Sequence, residues 1–150
     1  MSDWLLVTQA RIDAFAAATD DHQWIHVDPQ RASASPFHGT VAHGFLTLSL
    51  VSRLLRDAIT LPPLRMALNY GVNRVRFISP LPANSRIRAR IVPAAVDDVS
   101  GSLQVTWSVT VEREGAAKPV AAIEWIVRYY EEAKDGGRRR RRAEGTEGTE

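Results

Sequence analysis

Between Val41 and Tyr130 the spacing of apolar residues changes once, from a helical repeat to alternation, and the break falls at Leu61, Pro62 and Pro63. Helical side chains return to one face about every 3.6 residues and strand side chains at every second residue, so a change of period marks a change of secondary structure. Before the break, "VAHGFLTLSLVSRLLRDAI" (41–59) predicts a long helix. Phe45, Leu46, Leu48, Leu50 and Val51 make its first half apolar on nearly every side, whereas Arg53, Arg56 and Asp57 fall in the second half. Such a helix is expected to start buried and emerge into solvent. After the break, Met66, Leu68, Tyr70 and Val72 share one strand face, but Val75 and Phe77 have the opposite parity, which predicts a β-bulge near Asn73. Ile87, Ala89 and Ile91 alternate with Arg86, Arg88 and Arg90, and the same pattern runs through Leu103, Val105, Trp107, Val109 and Val111 and through Ile123, Trp125, Val127 and Tyr129. Strands with one apolar face each build an antiparallel sheet. A helix preceding that sheet predicts an α+β domain, with the sheet wrapped around the long helix.

At 150 residues the chain is the size of one domain. Its excess of basic residues is confined to the end: "KDGGRRRRRAEGTEGTE" (134–150) holds six Lys or Arg against four acids, which leaves 13 of each charge in the body out of 19 basic and 17 acidic residues in all. The organisation expected is a domain over 1–133 and a disordered tail over 134–150, since a Gly-rich charged run buries too little surface to offset its ordering entropy. Five arginines diluted by glutamates are also a weak electrostatic footprint, so nucleic acid is not expected as a partner. The lack of cysteine excludes disulfides, thiolate catalysis and Cys-ligated zinc. No basic region precedes the short apolar run near the N-terminus, and no segment approaches the roughly 20 apolar residues of a membrane span. A cytoplasmic protein without membrane association is expected.

Chemistry concentrates in "ATDDHQWIHVDP" (18–29). Thr8 is placed to cap a first helix carrying Ile12, Phe15, Ala16 and Thr19, and Asp28 with Pro29 opens a short second one, so the stretch between reads as a connecting loop. All four histidines, His22, His26, His38 and His43, lie within 22 consecutive residues. As metal ligands, His22 and His26 would need a helix between them and a third ligand, and the HExxH pattern is absent; no metal is expected. His38 reads as a solvated loop residue. Asp21 and His26 would point about 140° apart on a helix, whereas a turn brings both to one pocket. A partly buried carboxylate beside an imidazole is the arrangement that adds or removes water across an activated double bond.

"DHQWIHVDPQRA", then "HGTVAHGFLTLSL" and "NYGVNRVRF", resemble the MaoC-like (R)-specific enoyl-CoA hydratases, in the branch related to nodulation protein N, over residues 5–130. The resemblance implies a single hot-dog fold, a homodimer, and hydration of trans-2-enoyl thioesters of CoA or acyl carrier protein, or the reverse dehydration, without metal or redox cofactor. The family motif Gly-Asp-x-Asn-Pro-x-His places its acid/base pair at Asp21 and His26, with Asp20 in the glycine position, Gln23 for Asn and Trp24 for Pro. The last two departures are shared with the nodulation-type branch. Glycine at a helix exit permits positive φ, which Asp adopts less readily. By the same resemblance Asp21 orients and deprotonates water, His26 positions that water and delivers the proton to Cα, and the Gly44 N–H meets the thioester carbonyl. The positive end of a helix dipole near Gly44 suits that role. His43 is expected as a loop-to-helix contact, and Arg74 and Arg76 as candidate phosphate ligands. The alternatives are a hot-dog acyl-thioesterase and a non-catalytic acyl-thioester binder. A chain ending at Ala133 should keep the oligomeric state and thermal midpoint of the full chain, as measured by sedimentation and calorimetry.

Overall fold

One apolar stripe decides how the long helix sits. In the computed structural model, which describes residues 1–132, this helix spans Gly44–Ala58 and buries Leu46, Thr47, Val51, Leu54 and Leu55. The stripe runs the full length of the helix, and Phe45, in its first turn, is 68% exposed. The expectation of a buried first half and a solvated second half is therefore corrected: burial divides this helix by face, because it lies flat on a sheet.

The elements are β1 (Leu5–Val7), α1 (Gln9–Thr19), α2 (Trp24–Val27), α3 (Pro29–Ser33), α4 (Gly44–Ala58), β2 (Leu64–Phe77), β3 (Ser85–Val99), β4 (Ser102–Arg113) and β5 (Ala121–Glu131). The strands form one antiparallel sheet in the order β1-β3-β4-β5-β2. Its inner face carries the alternating residues read from the sequence. Ile87, Ala89 and Ile91, then Val105, Trp107, Val109 and Val111, then Ile123, Trp125, Val127 and Tyr129 are all buried, in one cluster with the inner stripe of α4. Trp107 Nε1 donates to the Tyr129 hydroxyl at 2.9 Å, which satisfies two buried polar atoms inside that layer. The expected α+β arrangement, a long helix against a curled antiparallel sheet, is what forms.

β2 departs from the expected pattern in one respect. The register shift at Asn73 is present, between Val72 and Arg74, but two more lie between Leu64 and Met66 and between Asn69 and Gly71. The extra residue, Tyr70, moves Val72 to the face opposite Met66 and Leu68: Val72 pairs with the buried Trp125, whereas Met66 and Leu68 pair with the outward Tyr130 and Arg128. Met66, Leu68, Tyr70 and Val72 thus do not share a face, since each bulge inverts the alternation.

β1 was not legible, because three residues are too short for a period; it pairs Leu5 with Ile87 and buries Val7 completely. Thr8 and Asp28 cap α1 and α3 as expected, accepting from the Arg11 and Arg31 amides. The connection between those helices is not wholly loop, since Trp24–Val27 forms one helical turn. The expected tail, 134–150, lies outside the described residues. No helix among the described residues is long and apolar enough to cross a membrane. Leu54→Ala, at a fully buried point of the α4 stripe, should cost about 2–5 kcal/mol in chemical denaturation, whereas Ser52→Ala on the exposed side should stay within about 0.5 kcal/mol.

Candidate active site

α1 ends in a sharp turn. Asp20 closes the helix in the left-handed conformation, at φ 56° and ψ 24°. That backbone geometry is what glycine adopts freely and Asp tolerates through its short polar side chain. It ends the helical path before Asp21, so Asp21 and the following turn fold back toward the start of α4. Gln23 and Trp24 then take the N-cap and first positions of α2, and the Arg31 guanidinium stacks 4.4 Å over the Trp24 ring.

The single turn of α2 is held from three directions. The Ile25 carbonyl accepts from Val41 N–H at 3.0 Å, the His26 carbonyl accepts from Gln9 Nε2 at 2.8 Å, and His26 Nδ1 donates to the Val41 carbonyl at 2.6 Å. A carbonyl can only accept, so the last bond fixes the tautomer and leaves Nε2 as the lone-pair nitrogen of a neutral His26. Its pKa is lowered, chiefly by burial and further by the neighbouring His43, against the opposing Val41 hydrogen bond and the Asp21 charge. His26 is thus neutral at neutral pH.

His43 completes the cluster. It is 2% exposed, its ring stacks on that of His26 at 3.8 Å and 23°, and Phe15 meets it at 4.9 Å. Its Nε2–H donates to the Asp21 carbonyl at 3.0 Å and lies 4.0 Å from the Asp21 carboxylate. The Asp21 side chain itself is 54% exposed, open to a ligand. Nδ1 of His43 is the one buried side-chain polar atom without a partner among the described residues, an arrangement that costs about 1–3 kcal/mol.

The structure therefore brings Asp21 and His26 together, as their spacing suggested, and adds His43: one ligand-capable atom from each lies within 4.8 Å of the others. The donor set fits a metal poorly. The two imidazoles are stacked instead of converging, and each commits one nitrogen to a backbone carbonyl. The arrangement suits proton exchange between a carboxylate, a water and a neutral imidazole. His43 was expected as a loop-to-helix contact, which it is; its stacking on His26 was not legible, although its place before the glycine that opens α4 was the available signal.

Gly44 is the first residue of α4, next to His43, and its N–H belongs to the first turn, where amides have no intrahelical acceptor. A Cβ added there would fall 2.8 Å from the Phe77 ring, so any larger residue would require that ring to shift. Beside it opens a cavity of about 220 Å³ lined by Ala42, Gly44, Thr47, Phe77, Leu81 and Val120. Arg74 and Arg76 are exposed on β2, opposite in parity to Phe77, which faces α4. They lie on the outer face of the sheet and are not brought to the histidines. His22 and His38 are exposed.

Because the unfolded chain protonates His26 more readily than the folded one, protonation favours unfolding. Stability should therefore fall as pH drops through the ordinary histidine value of 6.5, and His26→Gln should flatten that slope. Denaturation at a series of pH values measures the slope, and proton NMR of the His26 ring reads the lowered pKa directly.

Comparison with known proteins gives the family and the fold. The model of the MaoC like domain family matches residues 1–115. The chain is 52% identical over 129 residues to 3-hydroxyacyl-thioester dehydratase Z of Mycobacterium tuberculosis, covering 85% of each chain. It is 48% identical over 130 residues to nodulation protein N of Rhizobium leguminosarum bv. viciae, covering 83% of this chain and 80% of that one. Among solved structures, the (R)-hydratase from A. caviae involved in PHA biosynthesis superposes with a TM-score of 0.69 at 24% identity, over 85% of this chain and 92% of that one. The unliganded R-hydratase PhaJ1 from Pseudomonas aeruginosa gives 0.72 at 20% identity, over 88% and 80%. The sheet order, the long helix and this match in shape establish the hot-dog fold, and with the match over most of its length the chain belongs to the MaoC-like domain family.

Proposed function

We propose that this protein interconverts trans-2-enoyl and (R)-3-hydroxyacyl thioesters of CoA or acyl carrier protein, as a hydratase or dehydratase. The observation that carries the reading is the convergence of the exposed Asp21 carboxylate and the neutral His26 beside the first amide of α4. The relatives named above support the same chemistry. In the hydration direction, the Asp21 carboxylate takes a proton from water while the water oxygen bonds to Cβ. The π electrons move through Cα to the thioester oxygen, and the Gly44 N–H and the α4 dipole hold the resulting enolate. The proton that Asp21 took from the water is then passed by way of His26 Nε2 to Cα, the C=O re-forms, Asp21 returns to the carboxylate, and the net change is one water added. His26, with its Nδ1–H committed to Val41, offers the Nε2 lone pair to orient the same water. No step calls for a metal or a redox cofactor.

The same reading includes a homodimer in the cytoplasm. β2 is an edge strand of 14 residues with Met66, Leu68, Tyr70 and Val72 exposed, and a second copy is the occupant that pairs its free edge. In that reading Arg74 and Arg76 hold phosphates of the CoA or carrier arm outside the sheet.

Incubation with a series of trans-2-enoyl-CoA chain lengths should remove the enoyl absorbance and give the (R)-3-hydroxyacyl product. Release of free thiol with the enoyl band intact would instead identify a thioesterase, and neither signal a binder. Asp21→Asn and His26→Gln should each lower kcat by roughly 100-fold or more with the fold intact, while Asp20→Asn should not.

A further inference from the structure

We propose that His43 is a positioning residue, which holds Asp21, His26 and Gly44 in one arrangement from the start of α4. The inference rests on the acid/base reading of Asp21 and His26 given above. Three contacts carry it. The Nε2–H of His43 holds the Asp21 carbonyl, its ring face supports the His26 ring, and its own peptide carbon is bonded to the amide nitrogen of Gly44. Each group assigned a chemical role is thus one contact or one bond away from this side chain.

Packing alone does not account for an imidazole here. A phenyl ring would fill the same space between Phe15 and His26 and would leave no buried nitrogen unpaired, as His43 Nδ1 is. What imidazole adds is the hydrogen bond to the Asp21 carbonyl. That carbonyl accepts from no backbone N–H among the described residues, and Asp21, His22 and Gln23 belong to no helix or strand. Among the described residues the Asp21 carboxylate accepts one long hydrogen bond, from the Gln23 amide at 3.5 Å, and lies 4.0 Å from His43 Nε2. The turn that carries the proposed base is therefore fastened to the fold by His43, and its aim depends on that fastening. Such aim matters because a displacement of about 1 Å can cost about 100-fold in rate.

Two substitutions separate the ring from the hydrogen bond. His43→Phe keeps the stacking and loses the donor; His43→Gln keeps an amide N–H at the position of Nε2 and loses the ring. With a trans-2-enoyl-CoA substrate, His43→Phe should lower kcat by about 30- to 100-fold with KM within about threefold, and His43→Gln should recover most of that loss. In an Asp21→Asn background, His43→Phe should have almost no further effect, because both changes disable the same group. Thermal midpoints accompany every variant, and if the phenyl variant does not fold, His43→Asn, whose amide is too short to reach Asp21, takes its place. The proposal is overturned if the donor-free variant stays within twofold of the parent, if His43→Gln is no better than it, or if it lowers the residual Asp21→Asn rate by its full factor. Those outcomes with Asp21→Asn still inactive leave the acid/base reading standing, whereas an unimpaired Asp21→Asn overturns both.

Discussion

The hydrogen bond from His26 Nδ1 to the Val41 carbonyl joins two parts of the chain that the sheet does not connect. On one side is the helical segment α1 to α3, which contributes no strand to the sheet. On the other is the extended approach to α4, tied to the β2–β3 connection by the Ala42 amide on the Leu81 carbonyl. One bond therefore fixes a ring tautomer and docks a layer of short helices at once. The reciprocal bond, Val41 N–H to the Ile25 carbonyl, makes the docking two-sided, and two bonds to one residue resist rotation where a single one does not. The cluster of Asp21, His26 and His43 inherits its rigidity from this seam, with the open side left to Asp21.

The sheet and the long helix were legible because period is a local property: Ile123, Trp125, Val127 and Tyr129 alternate whatever they pack against, and they are buried as that alternation requires. The bulge at Asn73 was legible for the same reason, as a visible change of parity. The bulge at Tyr70 was not, since Met66, Leu68, Tyr70 and Val72 keep one parity in sequence and only pairing with β5 shows that the count has slipped. The site divides along the same line. Asp21 and His26 are close in sequence and their proximity was legible from the turn between them and from the resemblance, while His43 reaches Asp21 across 22 residues through tertiary packing, which no spacing rule encodes.

The departures from the family motif acquire a backbone meaning. At Asp20 the structure demands a left-handed residue, so the family's glycine is explained by conformation, and Asp is among the few other types that tolerate it. At Trp24 the structure shows the first position of a helical turn, where proline is favoured because its missing N–H is not needed. Trp24 meets the same positional requirement without the fixed φ and gains the Arg31 guanidinium over its ring. The motif is in this sense a recipe for a turn, a helix start and a carboxylate, and the chain satisfies it with different residues.

The three register shifts in β2 bear on what its free edge can pair with. A flat edge of this length would be an indiscriminate template, open to any extended peptide. Register shifts at three points, with Arg65, Arg74 and Arg76 along the same strand, break that template into short unequal segments whose spacing a straight strand cannot match. The bulges thus make this edge a selective template, in the same strand whose Phe77 walls the space beside Gly44.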